Sequence, residues 1–260
     1  MKSLIVSKSD AMKTLAAILA CSLALILVVV GAITAPKSYL AQGVSAADRR
    51  VPVYAVSRDD NRIAISFDAA WGSEKTLEIL DILDDYNVKT TFFLVGFWVD
   101  AYPERTQQIA QRGHEIGNHS TNHPNMPTLS PEQMQQEILQ THQKIEELTG
   151  TSPTLFRPPF GDYNNDLIDI LHQMDYECIQ WSIDSLDWKD IGTEAIVQRV
   201  TSDVQGGDII LFHNNSEDVL EFLPLVLEEL QRQGFEIVPI SQLLLDEPYI
   251  IDNNGIMRQS

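Results

Sequence analysis

The chain has 260 residues, 44% of them hydrophobic, enough for one large core or one globular domain with a short appendage. Its 18 Lys and Arg stand against 37 Asp and Glu, a formal net charge of −19. That balance argues against nucleic acid as a partner, because a phosphate-binding surface needs clustered cations to release counterions; it suits a soluble extracytoplasmic protein or a neutral glycan and by itself selects no substrate.

At the N-terminus, Lys2, Lys8 and Lys13 precede an uncharged apolar stretch, Thr14 to Ala35, which as a helix would span about 30 Å, the thickness of a bilayer core. A cleavable signal peptide has a shorter apolar region of about 7 to 15 residues, so residues 14–35 are expected to be an uncleaved, single-pass signal anchor. The basic flank keeps residues 1–13 in the cytoplasm and places everything after Ala35 outside the cell membrane. Residues 36–58 then form a linker, 59–247 one catalytic-size domain and 248–260 a C-terminal tail. Cleavage near Val44–Ala46 would instead secrete the domain. Cys21 follows Ile-Leu-Ala, a pattern similar to a lipoprotein site, but the apolar run continues past it as in a plain membrane helix. Cys178 is the one cysteine of the exported part, so no internal disulfide is available there and stability must come from the core.

From Arg62 onward, short β-rich runs alternate with helical patterns. The runs are RIAISF (62–67), TTFFLVG (90–96), HEIGN (114–118), TLFRP (154–158), YECIQWSI (176–183), DIILFH (208–213) and FEIVPI (235–240). Helical spacing covers 74–88, 103–113, 130–150, 164–174, 193–204 and 219–234, several segments closing on Gly. Ser130 reads as an N-cap, with Pro131 at the first helical position and Gln133 completing a capping box. Such alternation predicts a parallel sheet wrapped by helices, either a barrel or an open doubly wound sheet. Both architectures place chemistry at the carboxyl ends of the strands.

Polar residues gather at those ends. Asp68 follows the first run, HSTNH (119–123) the third, RPPFGDYN (157–164) the fourth, DSLDW (184–188) the fifth, and His213 ends the sixth. Each has a bland reading: Asp68 can cap a helix, Arg157-Pro-Pro is a rigid turn, and His213 can be a core histidine. His119 and His123, four apart, would face the same way on a helical turn and could chelate one metal ion, zinc being the usual choice for imidazoles. Arg157 could hold a carboxylate bidentately. His142 and His172 sit in helical patterns as ordinary surface or boundary residues, and His114 reads as part of a turn before a strand.

Taken together, SFDAAWG, HSTNH, RPPFG, DSLDW and LFH, in this order between Arg62 and about Leu245, resemble the motifs of the NodB-homology polysaccharide deacetylases, carbohydrate esterase family 4. The expanded first motif and the single N-terminal apolar segment are similar to the membrane-anchored sporulation and cell-wall deacetylases of Gram-positive bacteria. The resemblance implies a distorted (β/α) barrel that removes acetyl groups from amino sugars of peptidoglycan or a chitin-like polymer by metal-assisted amide hydrolysis. It implies a divalent ion, zinc by preference, on His119 and His123, Asp68 as general base and His213 as general acid oriented by Asp187. It further implies that Arg157 positions Asp68, that Trp188 and Leu211 wall an acetyl pocket, and that the backbone N–H near Phe160 meets the oxyanion.

One position departs from the pattern. The family's second aspartate, its third metal ligand, is Ala69 here, which coordinates nothing. Three outcomes follow: a weaker site completed by water, a site in which Asp68 shifts from base to ligand, or a domain that binds glycans without cleaving them.

Overall fold

Arg62–Ala69 alternates two kinds of side chain, Ile63, Ile65, Phe67 and Ala69 on one face and Ala64, Ser66 and Asp68 on the other. In the computed structural model, which describes residues 49–260, this run is strand β2, buried along nearly all its length. A strand buried on both faces needs cover on both, and here helices pack on the first face while the second lines the inside of a curl.

The elements follow in order: β1 (Ala55–Val56), β2 (Arg62–Ala69), α1 (Thr76–Asp85), β3 (Thr91–Leu94), α2 (Gly96–Ala101), α3 (Pro103–Gln111), β4 (Glu115–Asn118), α4 (Pro131–Thr149), β5 (Leu155–Phe156), α5 (Asn165–Gln173), β6 (Glu177–Cys178), β7 (Ile183–Asp184), α6 (Thr193–Thr201), β8 (Ile209–His213), α7 (Val219–Arg232), β9 (Glu236–Ile237), α8 (Ile240–Leu243), β10 (Tyr249–Ile251) and β11 (Ile256–Gln259). The main sheet has the order β6-β5-β4-β3-β2-β8-β7, with β9 paired to the start of β2. Every pairing in it is parallel. The result is a curled parallel half-barrel rather than an open doubly wound sheet.

Curling explains why the run Tyr176–Ile183 is not one strand. Its first part, β6, pairs with β5 on one edge, and its last part, β7, pairs with β8 on the other. The chain therefore crosses from edge to edge at Gln180–Ser182, and Val53 bridges the seam by donating its N–H to Cys178 O and accepting from Gln180 N. Residues 49–58 and 248–260 are more than linker and tail: β1, β11 and β10 form a small second sheet beside the seam.

Two apolar layers follow from the alternation. Outside the curl, Phe92, Phe67, Phe212 and Phe222 form an aromatic row, with successive centroids 5.0, 5.7 and 5.3 Å apart, that ties β3, β2 and β8 to α7. Inside, Ala64, Phe93, Leu155, Ile179 and Ile209 fill the lower half of the curl. The expected capping box is present: Gln133 N donates to Ser130 Oγ at 3.3 Å and Ser130 N to Gln133 Oε1 at 2.9 Å, and α4 closes on left-handed Gly150. Helix α2 has no counterpart among the expected helices; six residues are too few for a periodic signal.

Among the described residues no helix is long and apolar enough to cross a membrane. The expected anchor Thr14–Ala35, the tail before it and most of the linker lie outside the described residues.

At Gly207 φ is +93°, and a Cβ there would sit 1.6 Å from Val56 O, the carbonyl of the strand that joins the two sheets. Gly207→Ala is expected to lower stability by about 2 kcal/mol or more, through left-handed strain and displacement of β1, read as a fall in the urea midpoint. An unchanged midpoint would show that β1 is not held at this contact.

Candidate active site

Above the apolar floor of the curl, the inward face of β2 presents Ser66 and then Asp68, and the inward face of β8 presents Leu211 and then His213. Phe93 of β3 lies level with Asp68. Loops after β2, β4, β5, β7 and β8 complete the rim, so the structure brings to one mouth the residues that the sequence singles out at five strand ends. Among the described residues, five of the seven non-glycine residues with positive φ, Ser120, His123, Phe160, Leu186 and Asp190, lie on these loops. Backbone strain concentrated this way is characteristic of sites whose geometry is over-determined.

Arg157, fully buried, is the hub. Its Nη1 donates to Asp68 Oδ1 at 2.8 Å and to Ser66 Oγ at 2.9 Å, Nη2 reaches Gln180 O at 3.1 Å, and the guanidinium lies 4.1 Å from the centre of the Phe93 ring. Burial pushes the Asp68 carboxyl up, but the Arg157 charge and hydrogen bond, together with the charges that His119 and His213 can carry, more than offset it and hold the group below the usual carboxylate range. Only one carboxylate oxygen is taken by Arg157. The other, Oδ2, faces His119 Nε2 at 3.5 Å.

His119 and His123 are not on a helical turn. Residues 119–123 form a loop in which Ser120 and His123 are left-handed, with φ of 67° and 54°. The loop wraps a side chain that no sequence pattern singles out, Glu137 of α4, which accepts from Thr121 N at 2.9 Å, Asn122 N at 2.7 Å and Asn122 Nδ2 at 2.7 Å. The two imidazoles still converge, with centroids 5.0 Å apart. His119 Nδ1 is 2.7 Å from Arg157 O, an acceptor only, so Nδ1 carries the hydrogen and Nε2 presents its lone pair to the site. Burial lowers the pKa of both rings, His123 to about 4, so both are neutral at pH 7.

Across the mouth, Asp187 is buried and accepts twice from one residue, from His213 N at 2.8 Å and from His213 Nδ1 at 2.7 Å. Burial lowers the His213 pKa, and the Asp187 hydrogen bond and charge, with the charges of Asp68 and Asp184, more than reverse that, so it is raised. Nε2 of this partly exposed imidazole is the ring nitrogen left for the groove.

Phe160 and Trp188, at 65% and 56% exposure, stand on the rim, while Leu211 is buried beneath it. Ser66, Glu137, Gln180 and Asn214 also support the site, and no spacing in the sequence marks them. His114 lies away from the mouth, buried against Phe92. His142 bonds Tyr176 at 2.7 Å, and a cavity of about 460 Å³ that His172 helps to line opens at the opposite end of the sheet.

Two neutral imidazoles beside a carboxylate have the donor chemistry of a divalent-ion site. The set is short of a protein ligand: among the described residues no three His, Cys, Asp or Glu side chains are grouped to hold an ion. Ala69 is fully buried on the helix-facing side of β2, within the same apolar cluster as Phe67 and Leu94.

A polysaccharide deacetylase family model matches residues 55–179. A peptidoglycan-N-acetylglucosamine deacetylase of Bacillus cereus is 35% identical over 194 residues, 73% of this chain and 91% of that protein. Uncharacterized protein YlxY of Bacillus subtilis is 32% identical over 193 residues, 74% of this chain, and the match spans 60% of its length. Among solved structures, wild-type BA3943 of Bacillus anthracis, described as a CE4 family pseudoenzyme, superposes with a TM-score of 0.72 at 30% identity over 81% of this chain and 73% of that one.

Because Arg157 neutralises a carboxylate that is 7% exposed, Arg157→Met is expected to cost about 3–5 kcal/mol by leaving Asp68 buried and unpaired. The double variant Arg157→Met/Asp68→Asn should recover much of that loss. Chemical denaturation of the four proteins checks this; additive losses would show that the pair is not coupled.

Proposed function

This chain belongs to the polysaccharide deacetylase family, and we propose that it hydrolyses N-acetyl groups on amino sugars of peptidoglycan or a chitin-like polymer. The carrying observation is the pair of opposed proton carriers, Asp68 hydrogen-bonded by Arg157, which favours its ionised form, and His213 hydrogen-bonded to Asp187, which favours its protonated form. Hydrolysis of an amide needs both, one group to take a proton from water and another to give one to nitrogen.

In the proposed reaction Asp68 Oδ2 removes a proton from water as its oxygen attacks the acetyl carbonyl carbon. The C–N bond then breaks as His213 Nε2 protonates the nitrogen, leaving acetate and a free amine. Arg157 keeps Asp68 ionised and aimed, and Asp187 fixes His213 with Nε2 outward. The Phe160 N–H is the expected oxyanion donor, with Trp188 and Leu211 bounding the acetyl group. A divalent ion held by His119 and His123 would supply Lewis acidity at the acetyl carbonyl. Zinc is the preferred ion for imidazole donors. The basic flank and apolar stretch of residues 14–35 support a domain tethered outside the membrane, where wall glycan is found, and the resemblance to sporulation deacetylases extends the proposal to that setting.

A second reading, a glycan-binding pseudoenzyme, is favoured by Ala69 and by the similarity to BA3943. Acetate release by the full-length protein, stripped with chelator and resupplied with zinc or cobalt, separates the two. Metal-dependent release is expected, and Asp68→Asn should lower it about 100-fold or more. Undiminished release by that variant would remove Asp68 from its role, and no release from folded wild type would favour the second reading.

On the alkaline side the rate should fall with an apparent pKa above the usual imidazole value of 6.5, as His213 loses its proton. Asp187→Asn should move that limb downward, because the charge that raises the His213 pKa is gone. A limb that stays in place would detach it from His213.

Ala69→Asp puts a carboxylate where exposure is 0%, so its thermal midpoint should drop without metal and recover with zinc. A midpoint indifferent to zinc would show that position 69 does not reach the ion.

A further inference from the structure

Trp71 has no share in the proposed chemistry and little in the core, since 56% of it is exposed. Its backbone is nevertheless fixed. Gly72 O, at the adjacent left-handed turn residue, accepts from Trp98 Nε1 at 2.6 Å and from Asn214 Nδ2 at 2.8 Å, and both donors come from residues only 1% exposed. Two buried side chains thus anchor a turn that displays a bare indole. Trp98 belongs to α2, and Asn214 directly follows His213, so the turn is tied to the rim on two sides.

The indole is also placed against the site. Its ring packs edge-on to His123 with centroids 5.2 Å apart, and Phe160 packs edge-on to the same imidazole at 4.6 Å. Trp71 lies two residues beyond the end of β2 and three beyond Asp68, and its ring centroid is 6.3 Å from that of Phe97.

We propose that Trp71 is a sugar-stacking platform that binds a neutral N-acetylhexosamine ring next to the one whose acetamide enters the site. The apolar C–H face of a pyranose suits an exposed indole, which offers a large rigid surface at little entropic cost. A neutral strand also suits the acidic chain, which repels polyanions. This inference rests on the glycan substrate of the proposed function and not on its turnover.

The test compares wild type, Trp71→Ala and Trp71→Phe, all full-length, for binding of the β-1,4-linked hexamer and dimer of N-acetylglucosamine by calorimetry, with thermal midpoints as a folding control. Trp71→Ala is expected to weaken hexamer binding about tenfold and dimer binding little, equivalent to about 1.4 kcal/mol, while Trp71→Phe retains most of the affinity. Equal hexamer affinity in wild type and Trp71→Ala, equal losses for both oligomers, or a wild type that binds neither would each overturn the platform. Acetate release is scored separately: a wild type that binds through Trp71 without releasing acetate sinks the deacetylase reading and leaves the platform standing.

Discussion

The buried pair of Arg157 and Asp68 is the constraint on which the site depends. An arginine with no solvent exposure is tolerable only if its charge is met and most of its donors are paired; Nε has no partner among the described residues, and the partners of the two Nη groups come from distant parts of the chain: Ser66 and Asp68 on β2, and Gln180 O at the seam. A flat sheet could not deliver them. The curl brings the crossing between β6 and β7 over the inner face of β2, and Phe93 supplies a ring beneath the guanidinium. Fold closure and carboxylate ionisation are therefore one requirement seen at two scales.

The same logic sorts the three histidines of the mouth. Two lose their charge by burial, and His119 is further fixed by the carbonyl of Arg157, so the residue that pairs with Asp68 also sets the tautomer of a neighbouring imidazole. The third is pushed the other way, toward its charged form, because the Asp187 carboxylate bonds its Nδ1 and lies beside the ring. Neutral donors on one side of Asp68 and an imidazole biased toward its protonated form on the other is an arrangement made by environment, since all three are chemically the same residue.

Ala69 shows how one strand position serves either packing or chemistry. Alternation turns it toward the helices, beside a row of phenylalanines, where a methyl group adds to the core and a carboxylate would need compensation. Asp68, one residue earlier on the opposite face of the same strand, keeps Arg157 and His119 against it.

Much of this was legible in the residues. Period-two runs and helical spacing marked every long element, because burial on one face leaves a local pattern, and Ser130-Pro131 with Gln133 announced its capping box outright. Asp68, His119, His123, Arg157, Asp187 and His213 could be named because motif order is written along the chain. Contacts between segments were not: Glu137 inside the histidine loop, Gln180 and Ser66 on Arg157, and Asn214 under Trp71 each depend on a partner at least fourteen positions away, and a single sequence carries no record of such distances. The sequence by itself determined the strand-and-helix alternation and the inventory of reactive groups, which are local matters of periodicity and residue type. Only the tertiary structure decided that the sheet curls, that the histidines meet on a strained loop rather than a helix, and which of them are charged, because each follows from burial and from partners supplied by other strands.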